Sequence, residues 1–124
     1  MELAQSRLVT DDVQRLAAFY AGLLGVPVTL NEYYVEVPAG PVTVGFSRCK
    51  FTEYRGPECC APSARRRDTI LDFQAEDADA EYMRIAALGA PLVMPPTTQP
   101  WGSRATMFSD PDVNLINVFS RSRT

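Results

Sequence analysis

Histidine is absent from this chain of 124 residues. That absence removes the commonest zinc and iron ligand, the usual general base near neutral pH, and any Ser-His or Cys-His nucleophile pair. Cysteine is scarce. Cys49, Cys59 and Cys60, an odd set with two neighbours, make a poor disulfide framework and fit a reducing compartment. No run approaches the roughly 18 apolar residues of a membrane span, and no basic-then-apolar leader opens the chain, so a cytoplasmic location without a membrane partner is expected. An excess of positive charge is lacking too. With a formal net charge of -3, the chain is a poor candidate for binding nucleic acid, and any long-range steering favours cations.

What is present is a large apolar fraction, 46%, enough to bury a real interior. The chain also repeats itself. Residues 8–28 and 73–92 each read as a strand end, an acidic cluster, a helical stretch and then Leu-Gly-x-Pro: Leu24-Gly25-Val26-Pro27 and Leu88-Gly89-Ala90-Pro91. The two glycines stand about half the chain apart. A unit below roughly 80 residues has difficulty holding a core alone, so two related modules are expected in one domain. Module one covers about 1–55, a linker about 56–67, and module two about 68–124.

In module one, residues 2–10 alternate as a strand, and Asp11 or Asp12 can cap a helix. Val13, Leu16, Ala17, Tyr20, Leu23 and Leu24 recur at helical spacing, with Gly25 as a stop and Pro27 just beyond. Strands are expected over 26–30, 33–37 and 41–50. Module two should hold a strand at 69–75, a helix at about 78–88, and strands near 91–94, 104–109 and 114–120. The linker is rich in turn formers and carries three successive arginines, which reads as a solvated loop. The expected class is α+β, with two βαβββ modules whose curved mixed sheets surround a cleft and whose helices lie on the outer face.

This order, with Phe19-Tyr20 and Leu24-Gly25 early and Pro100-Trp101-Gly102, Asp110-Pro111-Asp112 and Asn114-Leu115-Ile116 late, resembles the vicinal oxygen chelate superfamily of glyoxalases, bleomycin-type resistance proteins and extradiol dioxygenases. The resemblance covers essentially the whole chain. Val113 stands where that family usually has glycine. Because residues with a Cβ disfavour positive φ, a turn of different shape is expected there. The resemblance implies four metal-ligand positions, occupied in the enzymes by His, Glu or Gln, His and Glu. Here they fall on Gln5, Gly45 (or its neighbour Val44), Ile70 and Asn117. Two neutral amides and two residues without a donor lack the charged or imidazole ligands that hold a catalytic divalent ion. A metal-free cleft without a cofactor is therefore expected.

By period-two alternation, Leu115, Asn117 and Phe119 share one face of the last strand, and Ile116 and Val118 the other. Leu3, Gln5, Arg7 and Val9 point to the cleft, as do Ile70, Asp72 and Gln74, so Arg7 and Asp72 hold matching positions in the two modules. Those two either neutralise each other as an ion pair or orient polar groups of a ligand. Phe46 and Phe108 read as core. Tyr34, Phe51, Tyr54 and Trp101 fall at loop edges, where amphipathic rings can form stacking walls for a planar or cationic guest, although Trp101 could equally anchor its loop over the core. Glu36 and Asp72 are the candidate general bases, and none of the cysteines has a histidine to activate it.

The expected function is non-enzymatic binding and sequestration of a bulky, partly aromatic small molecule, similar to the antibiotic-resistance branch, in a metal-free cleft at the interface of a cytoplasmic homodimer. Gln5, Arg7, Tyr34, Phe51, Tyr54, Asp72, Trp101, Asn117 and Phe119 are the expected ligand-binding residues. The alternatives are a metal-dependent glyoxalase- or dioxygenase-like enzyme and a metal-free enzyme acting on a small metabolite.

Overall fold

The computed structural model describes residues 1–48 and 69–121. Cys49, Phe51, Tyr54, Cys59, Cys60 and the arginine run at 65–67 lie outside the described residues. The chain divides into two compact units, Met1–Arg65 and Arg66–Thr124. Together the described residues form two helices and seven strands in two mixed sheets, the expected α+β class.

The first unit runs β1 (Ser6–Thr10), α1 (Val13–Leu24), β2 (Tyr34–Ala39) and β3 (Val42–Arg48), with sheet order β1-β3-β2. Of the two candidate caps, Asp12 is the one used: its carboxylate accepts from Arg15 N at 3.1 Å, satisfying one orphan amide of the first turn. Gly25 ends the helix at φ 68°, a left-handed conformation natural to glycine. Val13, Leu16, Ala17, Tyr20 and Leu23 form the buried stripe of α1, which packs on β2 and β3. Tyr20 stacks on Phe46 with ring centroids 5.1 Å apart, and both rings are fully buried. Burying each aliphatic of this kind contributes roughly 1.5–3 kcal/mol.

Two local expectations give way here. Residues 26–30 form no strand: Val26 N instead donates to Ala21 O as part of the helix cap, and Pro27 has no amide to offer a ladder. The first strand begins at Ser6 rather than at residue 2, because the β3 ladder it joins pairs Ser6 with Val44 and extends from there.

The second unit runs β4 (Ile70–Gln74), α2 (Ala78–Ala87), β5 (Leu92–Thr98), β6 (Arg104–Ser109) and β7 (Leu115–Ser120), with sheet order β4-β7-β6-β5. Asp77 caps α2 by accepting from Asp79 N at 3.0 Å and Ala80 N at 3.2 Å. The helix packs on β5, β6 and β7, over a core that includes Ile85, Phe108, Ile116 and Val118. Strand β5 runs to Thr98, past the expected 91–94. Its two prolines are accommodated because β5 is an edge strand whose register against β6 shifts between Met94 and Thr97.

The turn before β7 also departs from expectation. Val113 adopts φ 69°, the left-handed region, so the turn keeps the form a glycine would favour. Asp110 imposes it: Oδ1 accepts from Asp112 N at 2.8 Å and Asn114 N at 2.9 Å, Oδ2 accepts from Asn114 Nδ2, and its backbone carbonyl accepts from Val113 N at 3.0 Å. That set of bonds outweighs the steric penalty of a β-branched residue, roughly 1–3 kcal/mol.

Candidate functional site

In the first unit, alternation sends Phe46 and Val44 of β3 to the α1 side, which leaves Gly45 on the opposite face. Gly45 is in register with Arg7 on β1 and with Glu36 on β2. Gln5, just before β1, reaches the same place. Its Nε2 donates to the Tyr34 hydroxyl at 2.7 Å, and that hydroxyl donates to Glu36 Oε1 at 2.9 Å. A Cβ on residue 45 would lie 2.9 Å from Tyr34 Oη and 3.3 Å from Gln5 Nε2. The phenol therefore occupies the space that a side chain at 45 would enter. Tyr34 is the first residue of β2, half-buried and with its hydroxyl engaged on both sides. Arg7 is exposed.

In the second unit, the register builds a row across the whole sheet. Asp72 on β4 pairs with Asn117 on β7, Asn117 with Met107 on β6, and Met107 with Met94 on β5. One step along, Gln74, Phe119, Ala105 and Thr97 form the next row. Ile116 and Val118 turn to α2 and are buried, so Asn117 and Phe119 face the other way, as alternation requires. On that face lies a cavity of about 870 Å³. Asp72, Asn117, Phe119 and Ile70 floor it, the two methionines of the row add polarisable apolar walls, and Gln99, Ser103 and Arg121 contribute polar edges.

Asn117 therefore looks into this cavity and meets a partner there: its Nδ2 donates to Asp72 Oδ1 at 2.9 Å. A carboxylate only accepts, which orients the amide with its nitrogen toward Asp72. Trp101 also lines the cavity. It sits in the turn between β5 and β6, where Gly102 N donates to Gln99 O at 2.9 Å and Gln99 N donates to Ser103 O at 2.8 Å. The indole is 77% exposed, so it does not anchor the loop over the core. The structure thus brings Asp72, Asn117, Phe119 and Trp101 together, and separately joins Gln5 and Tyr34.

Met94, Met107 and Arg121 escaped the sequence reading. The methionines share the parity of Ala105 along β6 and its partner strand, a signal visible only once the register against β7 is known. Arg121 continues the 117, 119 alternation past the end of β7, and its Cζ lies 5.9 Å from the centroid of the Phe119 ring. On the helix side of the same sheet, Arg104 grips Asp79 in a two-point contact, Nε to Oδ2 at 2.6 Å and Nη2 to Oδ1 at 2.9 Å. That guanidinium holds the Asp79 carboxyl below its ordinary range, chiefly by hydrogen bonding.

The four positions that a metal of the resembled family would need do not fit one. Gln5 and Asn117 offer only neutral amide oxygens, Gly45 has no side chain and its space is filled by the phenol, and Ile70 is apolar, so the set holds neither a carboxylate nor an imidazole. No group of three or more His, Cys, Asp or Glu among the described residues is placed to hold an ion. No helix among them is long and apolar enough to cross a membrane.

Residues 2–118 match the family model described as the Glyoxalase/Bleomycin resistance protein/Dioxygenase superfamily. The chain is 29% identical to the uncharacterized protein YraH of Bacillus subtilis (strain 168), over 96% of this chain and 98% of that one. Among solved structures, it resembles a glyoxalase/bleomycin resistance protein/dioxygenase from Nocardioides, with TM-score 0.78, 18% identity, and coverage of 99% of this chain and 85% of that one. It also resembles a lactoylglutathione lyase from Agrobacterium tumefaciens, with TM-score 0.72, 21% identity, and coverage of 96% and 92%. At such identities the structural likeness is one of fold.

Proposed function

The chain belongs to the Glyoxalase/Bleomycin resistance protein/Dioxygenase superfamily, and from that premise we propose that it binds and sequesters a bulky, partly aromatic small molecule without transforming it. The observation that carries this reading is the cavity of about 870 Å³ on the sheet face of the second unit, lined by a tryptophan, a phenylalanine, two methionines and one hydrogen-bonded amide–carboxylate pair. Its size and lining suit a drug-sized ligand, since such sites typically enclose roughly 300–1,000 Å³ and combine apolar walls with a few placed polar groups. Asp72 and Asn117 satisfy each other in part and fix a guest by hydrogen bonding. Trp101 and Phe119 supply the stacking surfaces.

The chemistry of the site argues for binding over turnover. The Asp72 carboxylate spends one oxygen on Asn117, and the Ser103 hydroxyl in the lining has no imidazole to activate it, since the chain contains no histidine. The residues at the family's ligand positions do not assemble a Lewis acid site. A homodimer is part of the same proposal, as is action against an aromatic antibiotic.

The test is a thermal-shift screen of aromatic and DNA-damaging antibiotics against the wild-type chain, Trp101→Ala and Asn117→Ala. A ligand present at a hundredfold excess over its Kd stabilises the native state by about 2.7 kcal/mol, a readily measured rise in Tm. At least one compound is expected to give such a rise in the wild type and a smaller one in both variants, and to be recovered chemically unchanged. A hit whose shift survives both substitutions puts the site elsewhere, and conversion of the compound on addition of Ni²⁺, Zn²⁺, Fe²⁺ or Mn²⁺ overturns the sequestration reading in favour of the metal-dependent enzyme.

A further inference from the structure

Resting on the reading of the cavity as a binding site, we propose that its guest is an elongated aromatic molecule of mixed character, with hydrogen-bond donors at the Asp72–Asn117 end and an anionic group at the Arg121 end. The inference starts from the linear arrangement of one strand face. Asn117, Phe119 and Arg121 follow one another at every second residue of β7 and its continuation. At about 3.3 Å per residue, Phe119 stands roughly 7 Å from Asn117 and Arg121 roughly 7 Å beyond that.

The two ends of this row have opposite chemistry. At the first, Asn117 Nδ2 is committed to Asp72 Oδ1, which leaves Asp72 Oδ2 and the Asn117 carbonyl oxygen facing the cavity as acceptors. This end takes N–H or O–H donors. At the other, the Arg121 guanidinium lies 5.9 Å from the Phe119 ring centroid and borders both the main cavity and a neighbouring hollow of about 660 Å³. None of the ion pairs among the described residues includes Arg121. Glu76 is the acidic residue lining the neighbouring hollow, so a carboxylate is nearby without occupying the fork. A guanidinium steadied against an aromatic face and not ion-paired among the described residues is suited to a planar anion.

Between the ends, Phe119, Met107, Met94 and the Trp101 indole provide the apolar stretch. A net charge of -3 favours the approach of cations in general, yet the cavity itself places a fixed positive charge at one end and a carboxylate at the other. The local pattern sets the choice of guest, because charges within a few ångströms act with little screening, whereas the Debye length at physiological salt is about 8 Å.

Three rigid probes that share a biphenyl skeleton test this: one with an amino group on one para carbon and a carboxylate on the other, one with the carboxylate alone, and one with the amino group alone. Trp101 is the single tryptophan of the chain and lines the cavity, so its fluorescence reports occupancy directly. The doubly substituted probe is expected to bind most tightly. Arg121→Gln is expected to weaken both carboxylate probes about tenfold, the usual size of one charge-assisted contact, and to leave the amino-only probe unchanged. Arg121→Lys, which keeps the charge, should restore part of the preference. If all three probes shift the fluorescence with equal affinity in wild type and Arg121→Gln, the charge selection is wrong and the cavity reading stands. If no probe changes the fluorescence of Trp101, both fall.

Discussion

Val113 holds a backbone conformation that few β-branched residues adopt, with φ at 69°. The four hydrogen bonds collected by Asp110, which is buried, keep it there. Relieving the clash while retaining the bonds should be favourable even after the greater chain freedom of glycine in the unfolded state is subtracted. Val113→Gly is therefore expected to stabilise the protein by about 1 kcal/mol, seen as a higher urea midpoint with an unchanged m-value. A lower midpoint would mean that the Val113 side chain contributes packing that outweighs its strain. At the same scale, Asn117 illustrates how a polar residue inside an apolar strand is accommodated: its neighbours Ile116 and Val118 serve the core, and its amide finds a carboxylate across the ladder.

Between elements, the bidentate contact from Arg104 on β6 to Asp79 in the first turn of α2 ties helix to sheet. Both side chains are solvent-accessible, so the tie is a modest one. Its pH dependence has a definite sign. The folded-state pKa of Asp79 is depressed, so its contribution is fully present above the unfolded value and disappears as pH falls through the folded one. Asp79→Asn should therefore melt below wild type near neutral pH, with the gap closing in strong acid; a gap of constant size across that range would assign the loss to something other than the charge. Elements were legible in the sequence where their signals are local. Asp12 and Gly25 frame α1, and the alternation of 115–119 sorts β7 into its two faces correctly. The signals failed where pairing decides. Residues 26–30 are apolar enough for a strand, but Val26 donates to the helix cap instead, whereas β5 contains two prolines and still pairs because it lies at an edge.

For the molecule as a whole, the internal repeat was the most informative feature. It matched Arg7 with Asp72, and the ladders agree: each is paired with the corresponding position of the last described strand of its own unit, Gly45 in one case and Asn117 in the other. The site was only partly legible, because a cavity wall is assembled across four strands, and Met94, Met107 and Arg121 join it through a register that composition cannot disclose. The proposed homodimer predicts a solution mass of twice 13.7 kDa in sedimentation equilibrium, persisting at micromolar concentration. A monomeric mass under those conditions removes the dimer from the proposal without touching the cavity.

The Tyr34 hydroxyl lies 2.9 Å from where a Cβ at residue 45 would stand, between Gln5 and Glu36. A carboxylate installed there alone would have to displace an aromatic ring and break two hydrogen bonds before it could serve as a ligand. Trimming the ring alone would strand Gln5 and Glu36 without their shared partner. Residues 34 and 45 would therefore have to change together before position 45 could present a ligand, and Gln5, Ile70 and Asn117 would need replacing as well, which places a metal-dependent activity several simultaneous substitutions away from this sequence.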